Sequence, residues 1–571
     1  MVMTNLRASG FEALLFSAVV MIGSCSSSSS NGYQSGQGGS GHGGSGSVSS
    51  GIGGSTGDDG TGGSYPAGQG GSAAAGGSAG DDGTGSSYPA GQGGSAAAGG
   101  SAGGTPSAGG ATGLGGTIRP SDGSTSDGSP APDARVDTGP PGPPAVIDSV
   151  TFNDLTLAGY VSPRSPMDIP SSRWGVQLLN PASGQTYVDQ IAGTGVKWVR
   201  LYMDSGTLRA GGSTLFDNLL KAVVALKIRP FITFATETTA LATWEERLKT
   251  VVNRYKGLVN CWEVFNEPNF AMAATDYVPY VKGASVTIKS IDATAKIVGG
   301  SIALVDSTFV QQMLNAGAGP SMDALAFHPY ADLPEYDKSF ATTYPKLKSM
   351  LADATPPIPL WQGECGYPSA ANSNGFKGKG PWSERIQAKW VTRRFLTDLG
   401  QNLPLSIYFT LRDFGTNTGP NSKGLLNLNT WTPKDAYHTV AYFTSIFDSR
   451  FDTPKTAGTT FTIAKPGSFT GSTASSIRVV TAGGAQGDVV TYWLPVGMKD
   501  TITAAQVRLT LSNANITDPV LVDLLDGRVF NIQVTTDASG TLVFPDLPLA
   551  DYAFVIVSRA AVTIQPTAPK R

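Results

Sequence analysis

Cysteine and histidine are scarce, with three of each in 571 residues. No His, Cys and Asp group has metal-ligand spacing, so neither a metal nor a cofactor is implied. Only Cys261 and Cys365 stand in the body of the chain. They fall on two non-adjacent predicted strands, which argues against a disulfide and makes both buried small apolar residues. A membrane-length hydrophobic run is missing as well. The apolar run Ala13–Gly23 has eleven residues, whereas a bilayer span takes roughly 20. A basic excess is also missing: 40 Lys and Arg face 43 Asp and Glu, net −3. That excludes the electrostatic footprint of a nucleic-acid binder. Nothing implies an oligomer.

Glycine is abundant, but unevenly so. Of 73 glycines, 39 fall in residues 26–145, a stretch without Trp, Phe or Lys. They keep no three-residue period, so the stretch is not collagen-like. Residues 146–571 carry 37 basic and 34 acidic side chains, and their glycine content is that of a globular protein. The sequence GDDGTGGSYPAGQGGSAAAGGSA at 57–79 returns almost unchanged at 80–102. One Tyr per repeat buries too little apolar surface to offset the ordering entropy, so this is a disordered Gly/Ser-rich linker rather than a solenoid. It stiffens towards Pro140–Pro144 and has a random-coil span of roughly 60 Å.

Ahead of the linker, Arg7 and the Ala13–Gly23 run have the flanks and length of an export signal. The run closes in Ile22-Gly-Ser-Cys25, which resembles the lipobox of bacterial lipoproteins. That resemblance implies that Cys25 is lipidated and becomes the mature N-terminus, anchored to a membrane at the cell surface or in the periplasm. An ordinary signal peptide and a secreted product are the alternative.

From Arg173 the chain alternates short apolar runs with amphipathic stretches. Phe216, Leu219, Leu220, Val223 and Val224 share one helical face, as do Trp244, Leu248, Val251, Val252 and Tyr255. The second helix is expected to open at a Thr243/Glu246 capping box. Eight strands are predicted, at 173–179, 197–203, 228–234, 259–265, 296–303, 322–328, 358–363 and 405–411. Eight β-then-α units in this length fit the α/β class and a TIM (β/α)8 barrel. A doubly wound sheet is the alternative, but no Gly-rich phosphate loop follows the first strand. The expected division is a signal at 1–25, linker at 26–145, lead-in at 146–170, barrel at 171–450, β-sandwich at 451–562 and tail at 563–571. The sandwich is read from eight short β-rich runs after Asp448, with Asp526-Gly527 as a hairpin signal. The lead-in is expected to add a strand to it.

Function in such barrels collects where strands end. Predicted strand four ends Trp262-Glu-Val-Phe-Asn266-Glu267-Pro268, and strand seven ends Leu360-Trp-Gln-Gly-Glu364. Each delivers a carboxylate to the same rim, and two opposed carboxylates are what glycosidic cleavage requires. Here the sequence resembles clan A of the retaining glycoside hydrolases over residues 170–450, with family thirty-nine fitting better than family five. The resemblance implies that Glu267 is the acid/base, Glu364 the nucleophile, and Asn266 the partner of the sugar's 2-hydroxyl. It further implies that Tyr330 donates to the nucleophile, that Arg200 lies beside it, and that His328 belongs to the substrate-binding set. Two features are lacking: the His that several clan families place after strand three, and the Trp of family five at the end of strand eight.

The retaining mechanism places the two carboxyls about 5–5.5 Å apart. Ionised Glu364 is then expected to raise the pKa of Glu267. Trp361, Trp382 and Trp431 are candidate sugar platforms, and Lys377 and Lys379 candidate contacts to an acidic sugar. Glu335 reads as a solvated loop acid. The substrate class expected is a β-linked poly- or oligosaccharide. A non-catalytic carbohydrate-binding or scaffold lipoprotein and a transglycosylase are the rival readings.

Overall fold

The computed structural model describes residues 143–179, 184–373, 379–416 and 419–569. The export signal with Cys25, nearly all of the linker with its 23-residue repeat, and Lys377 lie outside them. The described chain is built on a closed barrel of eight parallel strands: β1 (Trp174–Leu178), β2 (Trp198–Met203), β3 (Arg229–Phe234), β4 (Cys261–Glu263), β5 (Lys296–Ala303), β6 (Ala324–His328), β7 (Leu360–Cys365) and β8 (Ser406–Tyr408). All eight fall within, or within two residues of, the predicted runs. The principal helices between and after them are α1 (Gln185–Gly193), α2 (Thr214–Ala225), α3 (Leu241–Tyr255), α4 (Ala274–Ile291), α5 (Ser307–Asn315), α6 (Thr343–Ala352), α7 (Glu384–Gly400) and α8 (Asp435–Ile446).

Strand periodicity sorts each strand's residues between two environments. On β2, Val199, Leu201 and Met203 face the helices and join the main core. Trp198 and Arg200 face inward. Inside the barrel an apolar layer of Phe231, Cys261, Val298, Ala326 and Ile407 packs with Trp198 and Trp361. The register sets Gln177 opposite Arg200 and Thr233 opposite Glu263, which builds a polar layer towards the rim. Cys261 and Cys365 are both buried and unpaired.

Helix α2 is capped by Ser213, whose side chain accepts from the Phe216 N–H. Helix α3 corrects the sequence reading. It begins at Leu241 behind Ala240, with no side-chain cap, so Thr243 and Glu246 lie inside its first turns. The apolar face that drives it, Trp244 to Tyr255, is buried as expected.

Beyond Phe447 the chain supplies seven strands of a nine-stranded antiparallel sheet and all of a four-stranded one. Phe461 of the smaller sheet meets Tyr492 of the larger at 5.4 Å. The lead-in is a hairpin, Pro144–Ile147 and Val150–Val161, whose second strand pairs with Arg528–Ile532. Ile564–Gln565, expected as a tail, also pairs with that strand. The Asp526-Gly527 signal marks the turn joining Pro519–Asp523 to Arg528–Ile532.

Helix α7 lies between barrel and sheets and is buried on nearly every side. Lys389 pairs with Asp551 at 2.9 Å, and Arg393 pairs with Glu335 at 2.8 Å, with all four side chains fully buried. Trp493 donates its indole N–H to the same Glu335 carboxylate at 2.8 Å. Glu335 is therefore a structural acid and not a solvated one. Trp493 is spent on it and offers no sugar platform.

Candidate active site

Glu267 follows β4 in a left-handed conformation, φ 48° and ψ 51°, unfavourable for a residue with a Cβ. The position is held by its N–H, which donates to the Ser301 carbonyl at 2.9 Å. Pro268 then opens a 3-10 turn with its preset φ. Glu364 stands near the end of β7, and Tyr330 two residues beyond β6. One oxygen of Glu267, one of Glu364 and a ring nitrogen of His328 lie within 4.8 Å of one another. The two carboxylates therefore face each other at short range.

Arg200 organises the floor beneath them. It is fully buried and donates to Glu364 Oε2 at 2.8 Å, Glu263 Oε2 at 2.8 and 2.5 Å, Asn266 Oδ1 at 2.7 Å and Gln177 Oε1 at 2.5 Å. Thr233 and Ser301 hydroxyls complete the set at 3.2 and 3.3 Å. Burial works against its charge, but Glu263 and Glu364 outweigh burial and raise its pKa above the ordinary value. Tyr330 donates to the other Glu364 oxygen at 2.8 Å. Glu364 is thus held by a charge-assisted bond on one oxygen and a neutral donor on the other.

Glu267 has a different environment. Burial raises its carboxyl to about 7, with Arg200 and Lys423 opposing and Glu263 adding to the rise. Burial rather than the neighbouring Glu364 is the leading cause, which corrects the sequence-based expectation. His328 Nδ1 lies 3.0 Å from Glu267 Oε1, and Nε2 lies 3.2 Å from Ser301 Oγ. Burial pushes its imidazole down to about 4, so the ring is neutral near pH 7 and has the two partners it needs. Fully buried, His328 holds the Glu267 carboxyl in place.

Asn266, Glu267, Glu364, Tyr330 and Arg200 therefore meet in one site. Asn266 accepts from Arg200 through its side-chain oxygen, which leaves the amide NH2 as the end of the side chain turned away from that bond. Arg200 is fully buried, with the carboxylates as its partners. Trp361 and Trp382 depart from expectation. Trp361 packs against Trp198 and Phe231 in the apolar layer inside the barrel. Trp382 is buried between Tyr367 and Trp390. Trp431 is half-buried, with Arg412 over its ring at 4.2 Å and Tyr187 at its edge. None of these contacts joins a ring to the carboxylates.

Glu263, Gln177, Thr233, Ser301 and Lys423 carry no sequence motif. Glu263, a lone acid within the apolar run of β4, was the one available signal. The Glu267, His328 and Glu364 trio also gathers three atoms of metal-ligand type, unseen in linear spacing. Arg200 and Lys423 already set two cationic side chains beside it, which disfavours a further cation.

No protein family and no curated protein matches the sequence. The solved structures similar to this chain include glycoside hydrolases. A family 39 glycoside hydrolase from the gut symbiont Bacteroides cellulosilyticus WH2 is similar with a TM-score of 0.54 and 19% identity, over 70% of this chain and 83% of that one. The family 39 enzyme of Xanthomonas axonopodis pv. citri gives 0.46 and 15%, over 70% and 95%. A monomeric β-xylosidase from Caulobacter crescentus CB15 gives 0.47 and 15%, over 70% and 97%. The first of these likenesses establishes the fold: the chain shares the barrel and accompanying β-sheets of that hydrolase.

Proposed function

We propose that this protein is a retaining glycoside hydrolase acting on a β-linked poly- or oligosaccharide. The observation that carries the proposal is a pair of carboxylates with one oxygen of each within 4.8 Å of the other, one bound by Arg200 and Tyr330, the other buried with a pKa near 7. Inverting enzymes need roughly 6.5–9.5 Å between carboxyls to admit a water, whereas retaining ones need about 5–5.5 Å. In the first step Glu364 bonds to the anomeric carbon as the glycosidic C–O bond breaks, and the Glu267 proton passes to the leaving oxygen. His328 donating from Nδ1 to Oε1 leaves Oε2 to carry that proton. In the second step water bonds to the anomeric carbon and gives a proton to Glu267. The ester C–O bond breaks and its electron pair returns to Glu364.

Proton NMR of the first product tests this directly: the released sugar should appear with the substrate's anomeric configuration, and the opposite anomer would refute the mechanism. The acid must begin protonated, so kcat/KM should fall as pH rises through about 7, the value set by burial of Glu267. A flat profile to pH 9 would contradict that role.

The same reading extends to location. Lipidated Cys25 and the glycine-rich segment would hold the enzyme off a membrane surface by roughly 60 Å. Cys25→Ala should release the protein from the membrane fraction into the soluble one, and unchanged membrane retention would reject the anchor.

A further inference from the structure

Ser301 belongs to no motif, yet three parts of the site converge on it. Gly299 to Ile302 of β5 run beside the shorter stretch Leu325 to Phe327 of β6, a bulge that inserts one extra residue. Gly300 and Ser301 both take left-handed backbone there, at φ 78° and 42°. Glycine suits that conformation, and a Cβ on Gly300 would come within 2.7 Å of Leu325. For Ser301 it is unfavourable. The bulge turns both polar groups of Ser301 to the site. Its carbonyl accepts from the Glu267 N–H at 2.9 Å. Its buried hydroxyl lies 3.2 Å from His328 Nε2 and 3.3 Å from Arg200 Nη2.

That hydroxyl can be satisfied in one way. Arg200 Nη2 makes shorter bonds to Glu263 and Asn266, at 2.5 and 2.7 Å, and a guanidinium nitrogen accepts no hydrogen. The Ser301 hydrogen therefore goes to His328 Nε2. Burial keeps the imidazole neutral near pH 7, with a single N–H, so an accepting Nε2 leaves the ring hydrogen on Nδ1. Nδ1 then donates to Glu267 Oε1 at 3.0 Å. The opposite tautomer would leave the buried Ser301 hydrogen without an acceptor. It would also let Glu267 turn its own proton inward, from Oε1 to Nδ1.

We propose that Ser301 is a positioning residue: it fixes the His328 tautomer, and through it the Glu267 oxygen that carries the catalytic proton. The proposal rests on Glu267 being the acid of the retaining reading above. A competitor for the ring stands close by. Glu263 Oε1 is buried without a hydrogen-bond partner among the described residues. It and His328 Nε2 each lie 3.4 Å from the place a Cβ of Gly363 would take. With the hydroxyl removed, that carboxylate favours a hydrogen on Nε2.

Nitrogen NMR reads the tautomer without turnover. In the full chain carrying 15N histidine, His42→Gln and His438→Gln leave His328 the single histidine. Solid-state spectra at pH 7 should show Nδ1 protonated and Nε2 bare. Ser301→Ala should move the tautomer ratio from about ten to one towards about one to ten, as the satisfaction of one buried hydroxyl allows. Ser301→Gly also removes the hydroxyl but relieves the left-handed backbone, and it should shift the ratio equally. A ring that keeps Nδ1–H in both variants overturns the proposal, as does a shift in Ser301→Ala alone.

Glycosides of one sugar with an alkyl and a dinitrophenyl leaving group give the second arm, because dinitrophenolate departs without needing a proton. Ser301→Gly should lower kcat/KM about tenfold for the alkyl glycoside and less than about twofold for the dinitrophenyl one. An equal loss on both would mark a merely structural residue and overturn the proposal. Full activity in Glu267→Ala beside a shifted tautomer would overturn the acid assignment, and with it the link to catalysis. An unmoved tautomer beside an inactive Glu267→Ala overturns the role of Ser301 alone.

Discussion

Glu364→Ala is expected to lower kcat by at least about 10⁴-fold, leaving the residual rate that binding and electrostatics supply once a nucleophile is gone. The decisive result is chemical rescue. Azide fits the space of the missing carboxylate and should attack the anomeric carbon from the same face. The product would be a glycosyl azide of the opposite configuration to the substrate. Glu267→Ala should cost about 10²–10⁴-fold on unactivated substrates, and azide should there give a product of retained configuration. Rates and product NMR on the two variants separate the roles. Full activity in either one rejects the assignment, and azide products of the same configuration in both would exchange or cancel the roles.

Arg200→Met should have the largest effect on stability. The guanidinium is fully buried and bridges Glu263 and Glu364. Its loss leaves two carboxylates in a buried polar layer without their cation, at a cost of about 3–5 kcal/mol. The deficit should grow with pH, because unpaired carboxylates repel only when ionised. Urea unfolding at pH 5 and pH 8 measures both the size and the sign. Arg200→Lys should recover only part of the loss, since an ammonium cannot span acceptors on β1, β2's neighbour β3, β4 and β7 at once. An unchanged urea midpoint in Arg200→Met would show that the interior does not depend on this charge.

The eight barrel strands were legible because a parallel strand buried on both faces writes itself as an apolar run. Glu267 and Glu364 were legible because each is an acid at the end of such a run. Tyr330 and Arg200 took their places by resemblance to a family, and the geometry brings them to Glu364. The errors share a cause. A tryptophan's ring does not announce which side of a strand or loop it occupies, so Trp361 and Trp382 read as platforms although both are packing residues. Glu335 read as solvated because its neighbours in sequence are polar, while its partners Arg393 and Trp493 come from 58 and 158 residues away. His328 was found, but its role depends on burial, which a single His cannot reveal. Lys423 was missed for the same reason: a lysine between Ser422 and Gly424 has no signature until the loop after β8 is folded onto the rim.

Helix α7 carries a consequence for anyone wishing to divide this protein. Cutting the chain after residue 450 would strip Lys389 of Asp551 and Arg393 of the Val496 carbonyl, and would expose them to water beside the apolar residues of the same helix. The hairpin at 144–161 would simultaneously lose the strand it pairs with. A shortened gene product should thus collect in inclusion bodies, whereas removal of everything before residue 143 spares each of these contacts. Swapping the terminal module between relatives would require transplanting the matching face of α7 with it.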